Sequence, residues 1–179
     1  MPCKSLVLRF TVNTYIFTIM SWYVLFLRPR SEKKLGQLCE IHGISCYLPL
    51  REETKVYQRR KVVVEKPIFP GYFFASVDRE ERVTLLKSNH VFRTLKPINE
   101  SQLLHELAQI RKALSVDPTL GACAAFTKGS RVRIVGGPFM GIEGVIQSLQ
   151  SKTKVKLNVE IIGRAVAVEV DQDLIDLME

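Results

Sequence analysis

The first clear pattern in the chain is an unbroken apolar and aromatic run at 22–27, which predicts a strand buried on both faces. Pro29 ends it. Ser31 then offers an N-cap, Glu32 an acidic first turn, and Leu35, Leu38, Cys39 and His42 share one helical face. Gly43 closes that helix. A second strand is predicted at 44–50. The charged segment 51–66 follows, with Val56, Tyr57, Val62, Val63 and Val64 flanking a basic tip, Gln58-Arg59-Arg60-Lys61, and it reads as a hairpin projecting into solvent. Residues 68–77 form another apolar strand, bent at Pro70-Gly71. A short helix at 79–88 and a strand at 91–95 lead to the best helix in the sequence. There Asn99 and Gln102 form a capping-box-like pair, and Leu103, Leu107, Ile110 and Leu114 make the stripe. The order βαβ-hairpin-βαβα calls for a sheet covered by helices.

Periodicity stops over 115–126, where Pro118, Gly121 and small residues mark a linker. Beyond it the period is two. Val132 and Ile134 alternate with Arg131 and Arg133; Val155, Leu157 and Val159 alternate with Lys154, Lys156 and Asn158; Val166, Val168 and Val170 repeat the pattern. With a further strand at 143–149, this predicts a small antiparallel barrel. The expected organisation is an extension at 1–19, a first domain at 20–114, the linker, and a barrel domain at 127–179.

Charge sharpens the division. The chain of 179 residues carries a net charge of +8. From residue 127 onward seven basic residues meet seven acidic ones, so the whole excess lies in the first part and favours a phosphate-bearing partner there. The four cysteines form neither a CxxC pair nor a disulfide framework, as expected of thiols in a reducing, cytoplasmic compartment. Cys39, His42 and Cys46 are close enough in sequence to suggest a metal, but a fourth ligand is not evident, and no metal or other cofactor is expected. Residues 6–20 are apolar but broken by Arg9 and Asn13, too short to span a membrane, and Met20 immediately precedes the first strand, so Met20 is expected to be the true start, the alternative being a short extra strand or anchor. His42, His90 and His105 fall in separate elements with no nucleophile turn beside them, which points to a binding adaptor and not an enzyme.

Two motifs carry a resemblance. Lys66-Pro67-Ile68-Phe69-Pro70-Gly71-Tyr72-Phe73-Phe74 resembles the FPGY strand of the NusG amino-terminal domain. Residues 128–146, with Gly136, Gly137, Gly141 and Gly144 around Pro138-Phe139, resemble a complete KOW motif. Trp22-Tyr23-Val24 is similar to that family's first strand, and 161–170 to its last strands. The resemblance implies an α+β protein: an amino-terminal sandwich of an antiparallel sheet flanked by helices, plus a five-stranded antiparallel KOW barrel. It implies a monomeric transcription elongation and antitermination factor that suppresses pausing.

By that resemblance Trp22, Phe69 and Tyr72 would hold the clamp helices of RNA polymerase's largest subunit. Pattern alone leaves open whether these aromatics are simply core. Arg28, Arg30, Lys33, Lys34, Arg59, Arg60 and Lys61 would face upstream or non-template DNA, or be no more than solvated charge. Pro138, Phe139, Met140, Ile162 and Arg164 would engage Rho or a small-subunit ribosomal protein, unless Phe139 only caps the barrel core. The neutral barrel disfavours the alternative of a ribosome-associated or RNA-binding KOW protein. Departures from the family pattern, Ser88-Asn89-His90-Val91-Phe92-Arg93-Thr94-Leu95 and Ile162 before Gly163-Arg164, lean toward a specialised RfaH-like paralogue.

Overall fold

A computed structural model describes residues 20–57, 60–125, 129–147 and 151–178. The extension at 1–19, Gln58 and Arg59 at the hairpin tip, the end of the linker and the far end of the strand expected at 143–149 lie outside the described residues. In chain order the elements are β1 (Ser21–Leu27), α1 (Glu32–His42), β2 (Ser45–Tyr47), β3 (Leu50–Tyr57), β4 (Arg60–Pro67), β5 (Tyr72–Val77), α2 (Arg79–Lys87), β6 (Val91–Leu95), α3 (Glu100–Val116), β7 (Ala122–Ala124), β8 (Ser130–Ile134), β9 (Glu143–Ile146), β10 (Lys152–Val159), β11 (Arg164–Asp171) and β12 (Ile175–Leu177).

These elements fall into two compact units, one of residues 20–48 and 70–100, the other of 49–69 and 101–178. The grouping differs from a division at 114/115: the hairpin and α3 assort with the carboxy-terminal strands.

The first unit is an antiparallel sheet ordered β2-β5-β1-β6. Alternation along each strand sends Leu25 and Leu27 of β1, Phe73, Ala75 and Val77 of β5 and Val91 of β6 to one face, where they meet Leu35 and Cys39 of α1 and Leu85 of α2. Burying a large aliphatic or aromatic side chain there contributes about 1.5–3 kcal/mol. Val24 and Leu25, adjacent in β1 and on opposite faces, are both fully buried, as the apolar run predicts.

Helix ends are where the structure departs from expectation. Ser31 makes no side-chain cap on α1; it sits at φ −97°, ψ −8°, a helical geometry that turns its hydroxyl away from that duty. The neighbouring Glu32 is buried and accepts a 2.9 Å bond from the Gly71 amide, tying the start of α1 to the turn before β5. Gly43 closes α1 at φ 67° as expected. At α2 a full capping box links Asp78 and Glu81 at 2.8 and 3.0 Å, a cap worth about 1 kcal/mol.

In the second unit, β3 and β4 form a two-stranded ribbon in register from Leu50↔Pro67 to Tyr57↔Arg60. Leu103, Leu107, Ile110 and Ala113 are the buried stripe of α3, with Leu114 half-buried beside it. The remaining sheet has six strands, ordered β12-β8-β9-β10-β11-β7, where five were expected. One addition lies inside the expected linker: β7 pairs with β11 from Ala122↔Val166 to Arg164↔Ala124. The irregular connection therefore shrinks to 117–121. Val132, Ile134, Val155, Leu157, Val159, Val166, Val168 and Val170 all point inward and are buried, as their period of two requires.

Candidate functional site

The face of the first sheet away from α1 and α2 carries Trp22, Val24 and Phe26 from β1, Tyr72, Phe74 and Ser76 from β5, and Leu95 and Arg93 from β6, cross-paired Trp22↔Ser76, Val24↔Phe74↔Tyr47, Phe26↔Tyr72, Val24↔Leu95 and Phe26↔Arg93. Its centre, Val24 and Phe74, is fully buried. Its end near the β1–α1 loop is not. There the pairing skips from Phe26↔Arg93 to Leu27↔Val91, leaving Phe92 as the extra residue of a bulge. Phe92 is consequently 62% exposed, with its ring centroid 6.0 Å from that of Phe26; Tyr72 lies 5.3 Å from Phe26 on the other side. The Arg93 guanidinium covers the Phe26 ring at 5.5 Å. The result is an aromatic ledge of Tyr72, Phe26 and Phe92.

Of the three predicted anchors, only Tyr72 belongs to this ledge. Trp22 is half-buried on the same face but four residues further along β1, about 13 Å away. Phe69 is 2% exposed. The chain turns at Pro70-Gly71, with Gly71 at φ 81°, so β5 starts only at Tyr72 and Phe69 never joins its alternation. Phe26 and Phe92 were missed. Phe26 was legible as an outward position of β1 once Leu25 is taken as inward; the bulge that exposes Phe92 leaves no mark in a single sequence.

Basic residues adjoin the ledge. The Arg28 amide donates to the His90 carbonyl at 2.9 Å and the Leu27 amide to Gly71 at 2.8 Å, which pins the β1–α1 loop against the start of β6 and the turn before β5. Arg28, Arg30, Lys33 and Lys34 are all exposed, and Arg30 takes φ 61°, a left-handed geometry unusual outside glycine. Arg60 and Lys61 are exposed on the separate β3–β4 ribbon, and Arg59 lies outside the described residues. Part of that ribbon is internally compensated: Glu53 is held by Lys66 at 2.7 Å and Arg51 at 2.9 Å, the Lys66 hydrogen bond drawing its carboxyl below the usual range.

In the carboxy-terminal sheet, Gly137 (φ 76°) and Gly141 (φ 79°) make the tight β8–β9 turn, locked by the Gly141 amide on the Ile134 carbonyl at 2.7 Å. Pro138 and Met140 are exposed and Phe139 is half-buried. Pro138 and Phe139 border a shallow cleft with Lys152, Glu169, Asp171 and Leu174. Ile162 and Arg164 flank the β10–β11 turn, outside that cleft's lining. Among the described residues no group of three potential ligands could hold a metal ion, and no helix is long and apolar enough to cross a membrane.

The polar side of α3 meets β9, β10 and the turn after β10. His105 Nε2 lies 3.2 Å from Glu143, the Gln109 side-chain oxygen accepts from the Glu143 amide at 3.1 Å, and Gln102 donates to Glu160 at 2.8 Å. Arg133 pairs with Glu143 at 2.7 Å and is the main cause of that carboxyl's lowered pKa. Glu106 accepts from the Glu160 amide at 3.3 Å, yet burial outweighs its hydrogen bonds and pushes its carboxyl up to about 7. A carboxyl raised on folding favours the protonated native state, so its contribution is complete below the ordinary 4.5 and is lost as pH rises to about 7. Glu106→Gln is expected to flatten this decline and to gain about 1–2 kcal/mol at pH 8, after discount for the group's partial exposure. Urea denaturation of both proteins from pH 4 to 8 checks it; parallel pH profiles would contradict it.

Residues 20–112 match the family described as "Transcription termination factor nusG". The chain belongs to the NusG family. It is 30% identical to the NusG transcription termination/antitermination protein of Treponema pallidum over 178 residues, covering 84% of this chain and 94% of the relative. To the protein of the same name from Borreliella burgdorferi it is 26% identical, over 84% of this chain and 95% of the relative. The solved structure described as "Domain interaction in Thermotoga maritima NusG" is 20% identical, covers 90% of this chain and 98% of its own, and superposes with a TM-score of 0.48. The chain is a NusG-type transcription elongation and termination factor. NusG proteins are non-enzymatic transcription factors.

Proposed function

We propose that this factor grips the clamp helices of RNA polymerase's largest subunit through the ledge of Phe26, Tyr72 and Phe92, with Trp22 further along the same face. Arg28, Arg30, Lys33 and Lys34 then lie toward upstream or non-template DNA, with Arg59, Arg60 and Lys61 of the ribbon as a second basic element. Bridging polymerase and DNA in this way suppresses pausing and modulates termination. Pro138, Phe139 and Met140, with Ile162 and Arg164, recruit Rho or a small-subunit ribosomal protein.

The observation that carries this reading is Phe92, a large aromatic 62% exposed in a cluster with the Phe26 and Tyr72 rings and the Arg93 guanidinium. An exposed apolar patch rimmed by charge is what a protein partner covers, and buried aromatic anchors dominate such contacts. Phe92→Ala removes a side chain that the fold does not need. It is expected to weaken retention on the matching polymerase about 30-fold, equivalent to about 2 kcal/mol, without change in thermal midpoint. Unchanged retention would refute the assignment. In vitro transcription with and without Rho, scoring pauses and terminated ends, decides the sign of the effect on termination. It also tests the RfaH-like lean, which rests on the unusual segment before and through β6, where Asn89 takes φ 59°.

A further inference from the structure

Two thiols of the first unit face one another across the joint between α1 and β2. Cys39 lies in the last turns of α1, fully buried in the core between helix and sheet. Five residues later the chain has turned back: Gly43 adopts φ 67° and the Ile44 amide donates to the Cys39 carbonyl at 2.8 Å, returning the backbone to the level of Cys39. Cys46 is the middle residue of β2. It pairs with Ala75, a member of the helix-side core, so the register of the sheet turns the Cys46 side chain toward α1. Cys46 packs against the same core, and its thiol is hydrogen-bonded to that of Cys39. β2 is an edge strand and Cys46 is only partly covered, so a small oxidant can reach it.

We propose that Cys39 and Cys46 are a redox-convertible thiol pair, closed to an intramolecular disulfide by hydrogen peroxide and reopened by a thiol reductant. The two roles follow from position. Cys46 is the accessible partner, and the Cys39 hydrogen bond favours its thiolate, lowering its pKa against the opposing effects of burial and the Glu40 carboxylate. Its sulfur attacks one peroxide oxygen; the O–O bond breaks, and the departing hydroxide takes up a proton to leave as water. Cys46 is then a sulfenic acid. The Cys39 sulfur displaces its hydroxyl, the S–S bond forms, and the hydroxyl leaves with the Cys39 proton as a second water. Two thiols are oxidised and one peroxide is reduced. A disulfide needs the two Cβ atoms about 3.5–4.5 Å apart, and the turn at Gly43 with the register of β2 favours this by setting both side chains in one core. The product staples the end of α1 to the edge strand.

The test uses the full chain carrying Cys3→Ser and Cys123→Ser, so that only this pair can react. After peroxide treatment and alkylation, the tryptic peptide 35–51, which contains both cysteines, is expected to be two hydrogens lighter and to have lost both alkylation sites. Cleavage after Glu40 should leave its halves joined until dithiothreitol is added. A Cys39→Ser form of that chain should instead accumulate a dimedone-trappable sulfenic acid at Cys46. Two results overturn the proposal: both cysteines still alkylated after peroxide, or Cys46 driven to the sulfinic acid while Cys39 remains alkylatable.

Discussion

Truncating Phe69 to alanine is expected to lower the free energy of unfolding by about 3–5 kcal/mol, the range for removing a buried aromatic ring. The ring is 2% exposed and ranks among the largest fully buried side chains of the protein. It follows the Ile68 amide, which is held to the Pro49 carbonyl at 2.9 Å, so the backbone there has little freedom to collapse into the space left behind. A shift in the urea midpoint measures the effect, and a loss below about 1 kcal/mol would contradict it. Poor polymerase binding by this variant would therefore report a damaged fold. The ledge is probed cleanly by Phe92→Ala, and the two variants together separate folding from docking.

Gly144→Ala should be nearly as damaging, from a single added methyl. Gly144 sits in β9 between β8 and β10, opposite Val132. A Cβ there would lie 2.6 Å from Val155 Cγ1 and 2.8 Å from the Lys156 backbone oxygen. The valine methyl has some freedom to move. The carbonyl oxygen is part of the backbone of a long central strand and cannot yield without distorting it. Overpacking of this kind costs about 1–3 kcal/mol and more when backbone must shift, a large share of what a small sheet has. Loss of amide-exchange protection across 130–170 is the expected readout. Gly121→Ala, with nothing within 4 Å of its added carbon, is the control and should change stability by no more than about 0.5 kcal/mol. Equal behaviour of the two variants would show that close packing at β9 is not what selects glycine there.

Much of this architecture was readable from period alone. The inward valines of β10 and β11 and the core side of β1 announce themselves because a half-buried strand must alternate. Gly43 was legible because a left-handed residue commonly ends a helix. The capping box at α2 was also present as Asp78 and Glu81 at the right spacing, and was overlooked.

Other features depend on contacts that leave no local trace. β7 is three small residues, strand only because β11 offers it an edge. The bulge at Phe92 arises from the pairing of β6 with β1, and the burial of Phe69 from where the chain turns before β5. The assortment of α3 with the carboxy-terminal strands rests on pairs such as Gln102–Glu160, separated by 58 positions. Consequently the positions of the aromatics were only partly legible: Tyr72 lies beside Phe26 and Phe92 at the open end of the sheet face, whereas Phe69 is buried.

The strand character of β7 has a consequence for competition. Only residues 117–121 connect α3 to a strand already paired within the carboxy-terminal sheet, a leash of about 18 Å at full stretch. On so short a leash α3 stays near its seat at an effective concentration of about a millimolar or more. A rival for the same patch on β9 and β10, present at micromolar levels, must bind it about a thousand-fold more tightly than α3 to take half of it. Lengthening the leash by a run of glycine and serine would dilute α3 and ease that competition, with every side chain of the patch unchanged.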